Sequence, residues 1–90
     1  MAAIKRLVLD VLKPHTPSAL DFCCRLAESC PGHRVNYRVI EVDENTESVE
    51  IRVTGEDIPM GSLAATIQAL GAALHSIDEV EAVCMAVDNS

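Results

Sequence analysis

Residues 34–55 read RVNYRVIEVDENTESVEIRVTG, and this segment decides the fold. Its two arms, Arg34 to Val42 and Ser48 to Gly55, are rich in β-branched residues, and the polar stretch Asp43 to Glu47 separates them. Two such arms around a polar turn are typical of an antiparallel β-hairpin. In the second arm apolar and polar residues alternate, which predicts one buried face. In the first arm Ile40 interrupts the alternation, which leaves a β-bulge and burial of both faces as alternatives.

One strand and one helix precede this hairpin. Residues 4–12 read IKRLVLDVL and predict a first strand with Leu7, Leu9 and Val11 on one face. The next pattern is helical and begins at Thr16-Pro17, where the Thr16 hydroxyl is the expected N-cap. Pro31-Gly32 ends this helix. The apolar residues at helical spacing predict its buried stripe: Ala19, Leu20, Cys23, Leu26, Ala27 and Cys30.

A second helix and a last strand follow the hairpin. The helix is predicted from Pro59 to about Leu70, with Leu63 and Ile67 in the core and Gly71 as the C-terminal cap. The last strand is predicted from Val80 to Asp88. The order βαββαβ with right-handed crossovers predicts an α+β, ferredoxin-like fold, in which residues 1–90 form one domain with a four-stranded antiparallel sheet and both helices on one face.

Composition excludes several classes of function. The formal net charge is −7, and the 90 residues include one Tyr, one Phe and no Trp. Nucleic acid is therefore an improbable partner, because phosphates attract basic surfaces and bases stack on aromatic rings. No stretch is apolar enough to span a membrane, and the start of the chain lacks a cleavage pattern, so we expect a cytoplasmic protein. The four cysteines have no zinc-finger spacing and are expected to be reduced, packed thiols.

The predicted topology makes the first and last strands antiparallel neighbours. If Leu12 lies opposite Glu79, Asp10 lies across from Glu81 on the face away from the helices. Two carboxylates at cross-strand distance repel each other unless a cation lies between them. The compensating group is either Arg6, in a structural salt bridge, or a divalent ion such as calcium or magnesium bound by Asp10 and Glu81.

The same outward face of the sheet is predicted to be apolar. Its apolar members are Ile4, Val8, Leu12, Val83, Met85 and Val87. A monomer seldom shows so large an apolar surface to water, so we expect a homo-oligomer that forms through the open sheet face.

Two segments carry a resemblance to a known family. Residues 9–15, LDVLKPH, and residues 71–80, GAALHSIDEV, resemble the signatures of the mainly archaeal family domain of unknown function 211. We name them the first and second signature segments. The resemblance implies a ferredoxin-like fold and a homo-oligomeric assembly, and it implies no particular activity. The positions that match the family are Asp10, Lys13, Pro14, His15, His75, Ser76 and Asp78.

The predicted strand pairing brings the two signature segments together. The candidate ligand-binding residues are Lys13, His15, His75, Ser76 and Asp78. The leading hypothesis is a binding or regulatory module without catalysis, which takes a small ligand or a metal ion. One alternative is a small enzyme that uses His15, His75 and Asp78; another is a purely structural assembly protein. In the simplest structural interpretation, His15 and Ser76 satisfy loop backbone groups and Lys13 neutralises Asp78.

Overall fold

The computed structural model describes residues 1–84 and residue 86. The elements are β1 (Ala2–Pro14), α1 (Ala19–Ser29), β2 (Arg34–Val42), β3 (Thr46–Thr54), α2 (Met60–Ala69) and β4 (Ala73–Cys84). The strand order is β2-β3-β1-β4, and each neighbouring pair is antiparallel. The predicted α+β, ferredoxin-like order βαββαβ is confirmed.

The core lies between the sheet and the two helices. On β1 the predicted residues Leu7, Leu9 and Val11 are buried, and every second residue of β3 from Val49 to Val53 faces the same layer. We call this the helix side of the sheet and the opposite surface the open face. Cross-strand partners share a side. The pairing register therefore assigns the neighbouring residues of β2 and β4 to one side or the other.

Helix α1 begins later than predicted. Its N-cap is Ser18, whose hydroxyl accepts a hydrogen bond from the Asp21 amide at 3.2 Å, so the prediction of Thr16 as N-cap is wrong. This start places Phe22 in the core, whereas Leu20, predicted to be buried, is 80% exposed. The apolar stripe of a helix covers about 100° of its circumference, so a small rotation of α1 against the sheet changes which residues are buried.

Helix α2 agrees with its prediction to within one residue at either end. Leu63 and Ile67 are buried, and Pro59 occupies the N-cap position. Gly71 has φ +82° and donates its amide to the Gln68 carbonyl oxygen at 3.0 Å, as a glycine that ends a helix does. Neither helix in the described part of the chain is long and apolar enough to cross a membrane.

Strand β4 begins at Ala73, so the prediction of a strand from Val80 to Asp88 is wrong at its start. Two irregularities in the pairing with β1 explain the error. Val8 and Leu9 face Glu79 and Ile77, which leaves Asp78 as an extra residue, and a second shift leaves His75 as another. Each extra residue interrupts the two-residue alternation by which a strand is recognised. Residues 85, 87 and 88 of the predicted strand lie outside the described residues.

The irregular first arm of the hairpin contains a bulge. Val39 faces Val49 and Glu41 faces Ser48, so Ile40 has no partner on β3. Of the two alternatives for this arm, the structure selects the bulge.

The open face is more polar than predicted. Ile4 packs against the core, because the bulge at Lys5 moves it to the helix side, and Val8 is only 4% exposed. The prediction is therefore wrong in the side assigned to Ile4, whereas Val8 lies on the predicted side but is covered. Leu12 and Val83 are exposed, whereas Met85 and Val87 lie outside the described residues.

Two ion pairs occupy the open face around Val8. Arg6 contacts Glu79 at 3.5 Å, and Arg52 contacts Glu50 at 2.9 Å. Val8 lies between Arg52 and Glu79 in the pairing register, so the stems of these two long side chains flank it.

Candidate functional site

The predicted pair of Asp10 and Glu81 is not formed. Asp10 faces Ser76, whereas Glu81 faces Arg6. Arg6 and Asp10 are separated along β1 by about 13 Å, so the two carboxylates do not share a cation in one copy of the chain. The error follows from the early start of β4, which displaces the whole register. No cluster of three or more His, Cys, Asp or Glu side chains suited to a metal ion occurs among the described residues.

Asp10 instead pairs with His75. The Nδ1 atom of His75 lies 3.2 Å from Oδ2 of Asp10, and the two side chains are 74% and 36% exposed. A carboxylate at neutral pH only accepts hydrogen bonds, so Nδ1 of His75 donates. In the neutral imidazole, Nε2 then carries the lone pair, and most of the side chain is exposed. Second-sphere carboxylates orient metal-binding and proton-accepting imidazoles in this manner.

The two bulges of β4 position the other polar residues of the second signature segment. His75 and Asp78 are the two extra residues of the strand, and Ser76 lies between them opposite Asp10. Bulges re-aim side chains and occur frequently beside functional sites. The Ser76 hydroxyl donates to Oδ1 of Asp78 at 2.7 Å. Asp10, His75, Ser76 and Asp78 therefore form one polar group on the open face, which we call the open-face cluster.

A shallow cleft adjoins this cluster. It has a volume of about 210 Å³ and is lined by Asp10, Leu12, Ser48 and His75. Pockets for drug-sized ligands span about 300 to 1,000 Å³. The cleft therefore accommodates an ion or a very small polar molecule rather than a nucleotide.

Lys13 lies on the other side of the sheet. Its side chain is fully buried, and Nζ donates to the carbonyl oxygens of Pro14 at 2.7 Å and Pro17 at 2.5 Å. Nζ is also 3.9 Å from Oε1 of Glu47 and 5.8 Å from the centre of the Phe22 ring. Lys13 continues the series Leu7, Leu9, Val11, so it faces the helices. The interpretation in which Lys13 neutralises Asp78 is wrong.

His15 connects the end of β1 to the β2–β3 turn. Its Nδ1 lies 3.2 Å from Oε2 of Glu47, and its Nε2 faces the carbonyl oxygens of Asp43 and Glu44 at 3.1 and 3.0 Å. The hydrogen bond to Glu47 raises the pKa of His15, and the backbone carbonyl of Glu44 adds to this effect. The expectation that His15 satisfies loop backbone groups agrees with these contacts.

Glu47 is the common partner of this second cluster. It accepts a hydrogen bond from the Tyr37 hydroxyl at 3.0 Å in addition to that from His15. The His15 hydrogen bond is the largest cause that lowers the pKa of Glu47. Burial, followed by the contact with Glu47, raises the pKa of Tyr37. We call Lys13, His15, Tyr37 and Glu47 the helix-side cluster.

The five candidate ligand residues therefore do not converge. Their chain segments run on neighbouring strands as predicted, but Lys13 and His15 belong to the helix-side cluster and His75, Ser76 and Asp78 to the open-face cluster. Alternation along β1 separates them, because Asp10 and Lys13 point to opposite sides of the sheet.

The contacts of Tyr37 and Glu47 are not predicted by the sequence. Glu47 was assigned to a solvated turn, yet it pairs with Lys13 across β1 and β3. In the structure, β3 begins at Thr46, two residues before the predicted arm, and so includes Glu47. Without the β1–β3 register, nothing in the sequence connects Glu47 to Lys13.

The fold and the two signature segments together define a ferredoxin-like α+β domain. Its edge strand β4 carries polar residues at two bulges. The chain belongs to the DUF211 family, domain of unknown function 211, whose model, described as Uncharacterized ArCR, matches residues 5–90. The resemblance drawn from the signature segments is thus confirmed. A similar protein is the uncharacterized protein MJ0319 of Methanocaldococcus jannaschii, which is 39% identical over 82 residues, or 91% of this chain and 84% of the relative.

Proposed function

We propose that this chain is a non-catalytic binding and regulatory module that takes a divalent cation or a very small polar ligand at the open-face cluster. The observation that carries the proposal is the coincidence of two bulges with two candidate residues. His75 and Asp78 are the extra residues of β4, and Asp10 orients the imidazole so that Nε2 is open to solvent. The bulges interrupt the pairing of β4 with β1, and a binding role would explain why they occur at these residues.

The imidazole and carboxylate groups of the open-face cluster favour a cation as the ligand. An oriented imidazole nitrogen suits zinc and similar transition metals, whereas carboxylate oxygens suit calcium and magnesium. One copy of the chain supplies few donors, so water or a second copy would complete the coordination sphere. Lys13 and His15 would then act indirectly, because they hold the end of β1 in place.

The hydrogen bond of the Ser76 hydroxyl supports a binding role rather than nucleophilic catalysis. A serine nucleophile needs a hydrogen bond to its general base. The Ser76 proton is directed to Asp78 rather than to His75, and His15 of the hypothetical catalytic set lies in the other cluster.

Calorimetric titration of the full chain with zinc, calcium and magnesium tests the proposal. We expect Asp10→Asn to weaken binding of the preferred ion by about tenfold or more, since it removes a charge and replaces the carboxylate that orients His75 with a weaker amide acceptor. His75→Gln distinguishes the ions: it abolishes zinc binding if Nε2 is a ligand and has a small effect on calcium or magnesium.

Glu56→Gln is the matched control. It removes the same charge from a side chain that is 97% exposed and pairs with Lys5, away from the open-face cluster. Equal losses in Asp10→Asn and Glu56→Gln would mean nonspecific attraction to an acidic protein. That result, or no heat with any ion, would contradict the proposed cation site.

Self-association is the second part of the proposal. Exposed apolar residues on both edge strands support it, among them Val42 at 62% and Val80 at 57% exposure. The protein is also proposed to be cytoplasmic, because the free thiols of Cys23, Cys24 and Cys30 suit a reducing compartment.

A further inference from the structure

We propose that copies of this chain join edge to edge, with β2 of one copy pairing antiparallel with β4 of the next. This inference rests on the proposed self-association and names the surfaces that carry it. In the described part of the chain β2 and β4 each have one strand neighbour, so each has a row of backbone groups available for a further strand.

The helix sides of the two edges are both apolar. On β4, Ile77 and Val80 face Leu9 and Leu7 in the register, so they lie on the helix side, yet they are 51% and 57% exposed. The helix-side residue of β2 beside the edge is Val39, at 44% exposure. Direct pairing of β2 with β4 of the next copy would bring these apolar side chains together and extend the core across the contact.

The open-face sides of the two edges carry opposite charges. On β2 the open-face residues Arg34 and Arg38 pair with Thr54 and Glu50 of β3, and the acidic Glu41 lies on the same side beyond the bulge at Ile40. On β4 the open-face residues include Glu79 and Glu81. Opposite charges across a strand pair are stabilising and like charges are destabilising. Apolar residues therefore meet apolar residues on one side, and basic residues meet acidic ones on the other.

Strand direction is consistent with this arrangement. In the order β2-β3-β1-β4 with antiparallel neighbours, β4 runs opposite to β2. A second copy related by rotation about an axis along the strands therefore places its β2 antiparallel to β4, with both helix layers on the same side. Such a contact uses two different surfaces, so repetition closes a ring if the rotation fits.

The parts of β2 and β4 that are proposed to pair lack much of the usual protection, because the bulges at Ile40, His75 and Asp78 lie outside residues 34–39 and 79–84. Proteins block exposed edges with proline, lysine or inward-pointing charges. The described strands β2 and β4 contain neither proline nor lysine, and their exposed apolar residues lie along the edge.

Sedimentation velocity of the full chain over a micromolar concentration series tests the inference. We expect an oligomer of the 9.7 kDa chain, and we expect Val80→Lys to weaken association by about tenfold, since it places a lysine on the β4 edge. Leu20→Lys is the matched control, because Leu20 is an exposed apolar residue of α1 and belongs to neither edge strand. Far-UV circular dichroism verifies that each variant is folded.

A charge exchange identifies the pairing of β2 with β4. Arg38→Glu and Glu81→Arg should each weaken association, and the double variant should recover it. A monomer at all concentrations would contradict both the proposed self-association and this inference. An oligomer that is unaffected by Val80→Lys and by both charge variants would contradict the edge pairing alone.

Discussion

His15 and His75 differ in what their ring nitrogens face. Both nitrogens of His15 face acceptors, namely the Glu47 carboxylate and two carbonyl oxygens, whereas His75 contacts one carboxylate and leaves Nε2 exposed. Acceptors at both ring nitrogens of His15 favour the protonated imidazolium, because both of its nitrogens donate hydrogen bonds. His15 thus holds the turn through both ring nitrogens, whereas one ring nitrogen of His75 is the partner of Asp10 in the proposed cation site.

The contacts of His15 predict a raised pKa for its imidazole. An NMR titration should give a value above the ordinary 6.5, and Glu47→Gln should lower it, because the Glu47 hydrogen bond is the largest cause of the shift. Glu44→Gln is the control: it removes a nearby carboxylate but keeps the carbonyl that contacts His15. A pKa at or below 6.5 in the native protein would contradict the assigned contacts.

The same shift predicts how stability depends on pH. Because the folded pKa of His15 is raised, its contribution is fully present below pH 6.5 and is lost as pH rises through the folded pKa. The midpoint of thermal unfolding should therefore decrease over that range, and His15→Asn should reduce the decrease. An unchanged pH profile in the variant would show that His15 does not stabilise the turn.

Lys13 provides a prediction for a buried charge. Lys13→Met should destabilise the fold by about 1–3 kcal/mol, because two carbonyl oxygens lose their donor and Glu47 loses a cation. Urea unfolding measures the change. Lys5→Met, at the exposed pair with Glu56, should change stability by less than about 0.5 kcal/mol. Equal effects at the two lysines would contradict the structural role of Lys13.

Among the secondary-structure elements, α2 and the turn after it contain two glycines with different roles. Gly71 has φ +82°, where an L side chain is strained, and Gly61 lies inside α2 with no atoms near the position of an added Cβ. Gly71→Ala should destabilise the protein by about 1 kcal/mol. Gly61→Ala should stabilise it by about 0.5 to 1 kcal/mol. Thermal unfolding measures both, and the same sign in both variants would contradict the assigned end of α2.

Strand prediction succeeded where alternation is regular and failed where bulges interrupt it. The alternation of β3 predicted Val49, Ile51 and Val53 as buried, and all three are. The start of β4 was misplaced because His75 and Asp78 are extra residues in its pairing with β1. A bulge is defined by a partner strand, so a single strand's sequence identifies it poorly.

For the whole molecule, edge pairing predicts concentration-dependent hydrogen exchange. Amides of residues 79–84 in β4 should gain protection as the protein concentration rises, because a neighbouring β2 would accept from the outward-facing N–H groups. Amides of α1 should not change with concentration. Hydrogen exchange followed by mass spectrometry measures both, and protection of β4 that is independent of concentration would contradict pairing through this edge.

The open face differs from its prediction in how much apolar surface it exposes. Counting alternate residues of β1 and the last strand predicted an apolar face, but a bulge at Lys5 moved Ile4 to the core and ion pairs flank Val8. Most of the exposed large apolar residues of the sheet are on the two edge strands, among them Val42 and Val80. Which strands form the edges is a property of the whole sheet.

The sequence by itself determined the order of elements, the ferredoxin-like fold, the buried faces of β1 and β3 and the family, because these depend on local periodicity and on short segments. Only the tertiary structure decided that Asp10 meets His75 while Lys13 and His15 meet Glu47. The physical reason is register: a displacement along a strand changes every cross-strand partner, and no residue specifies that displacement alone.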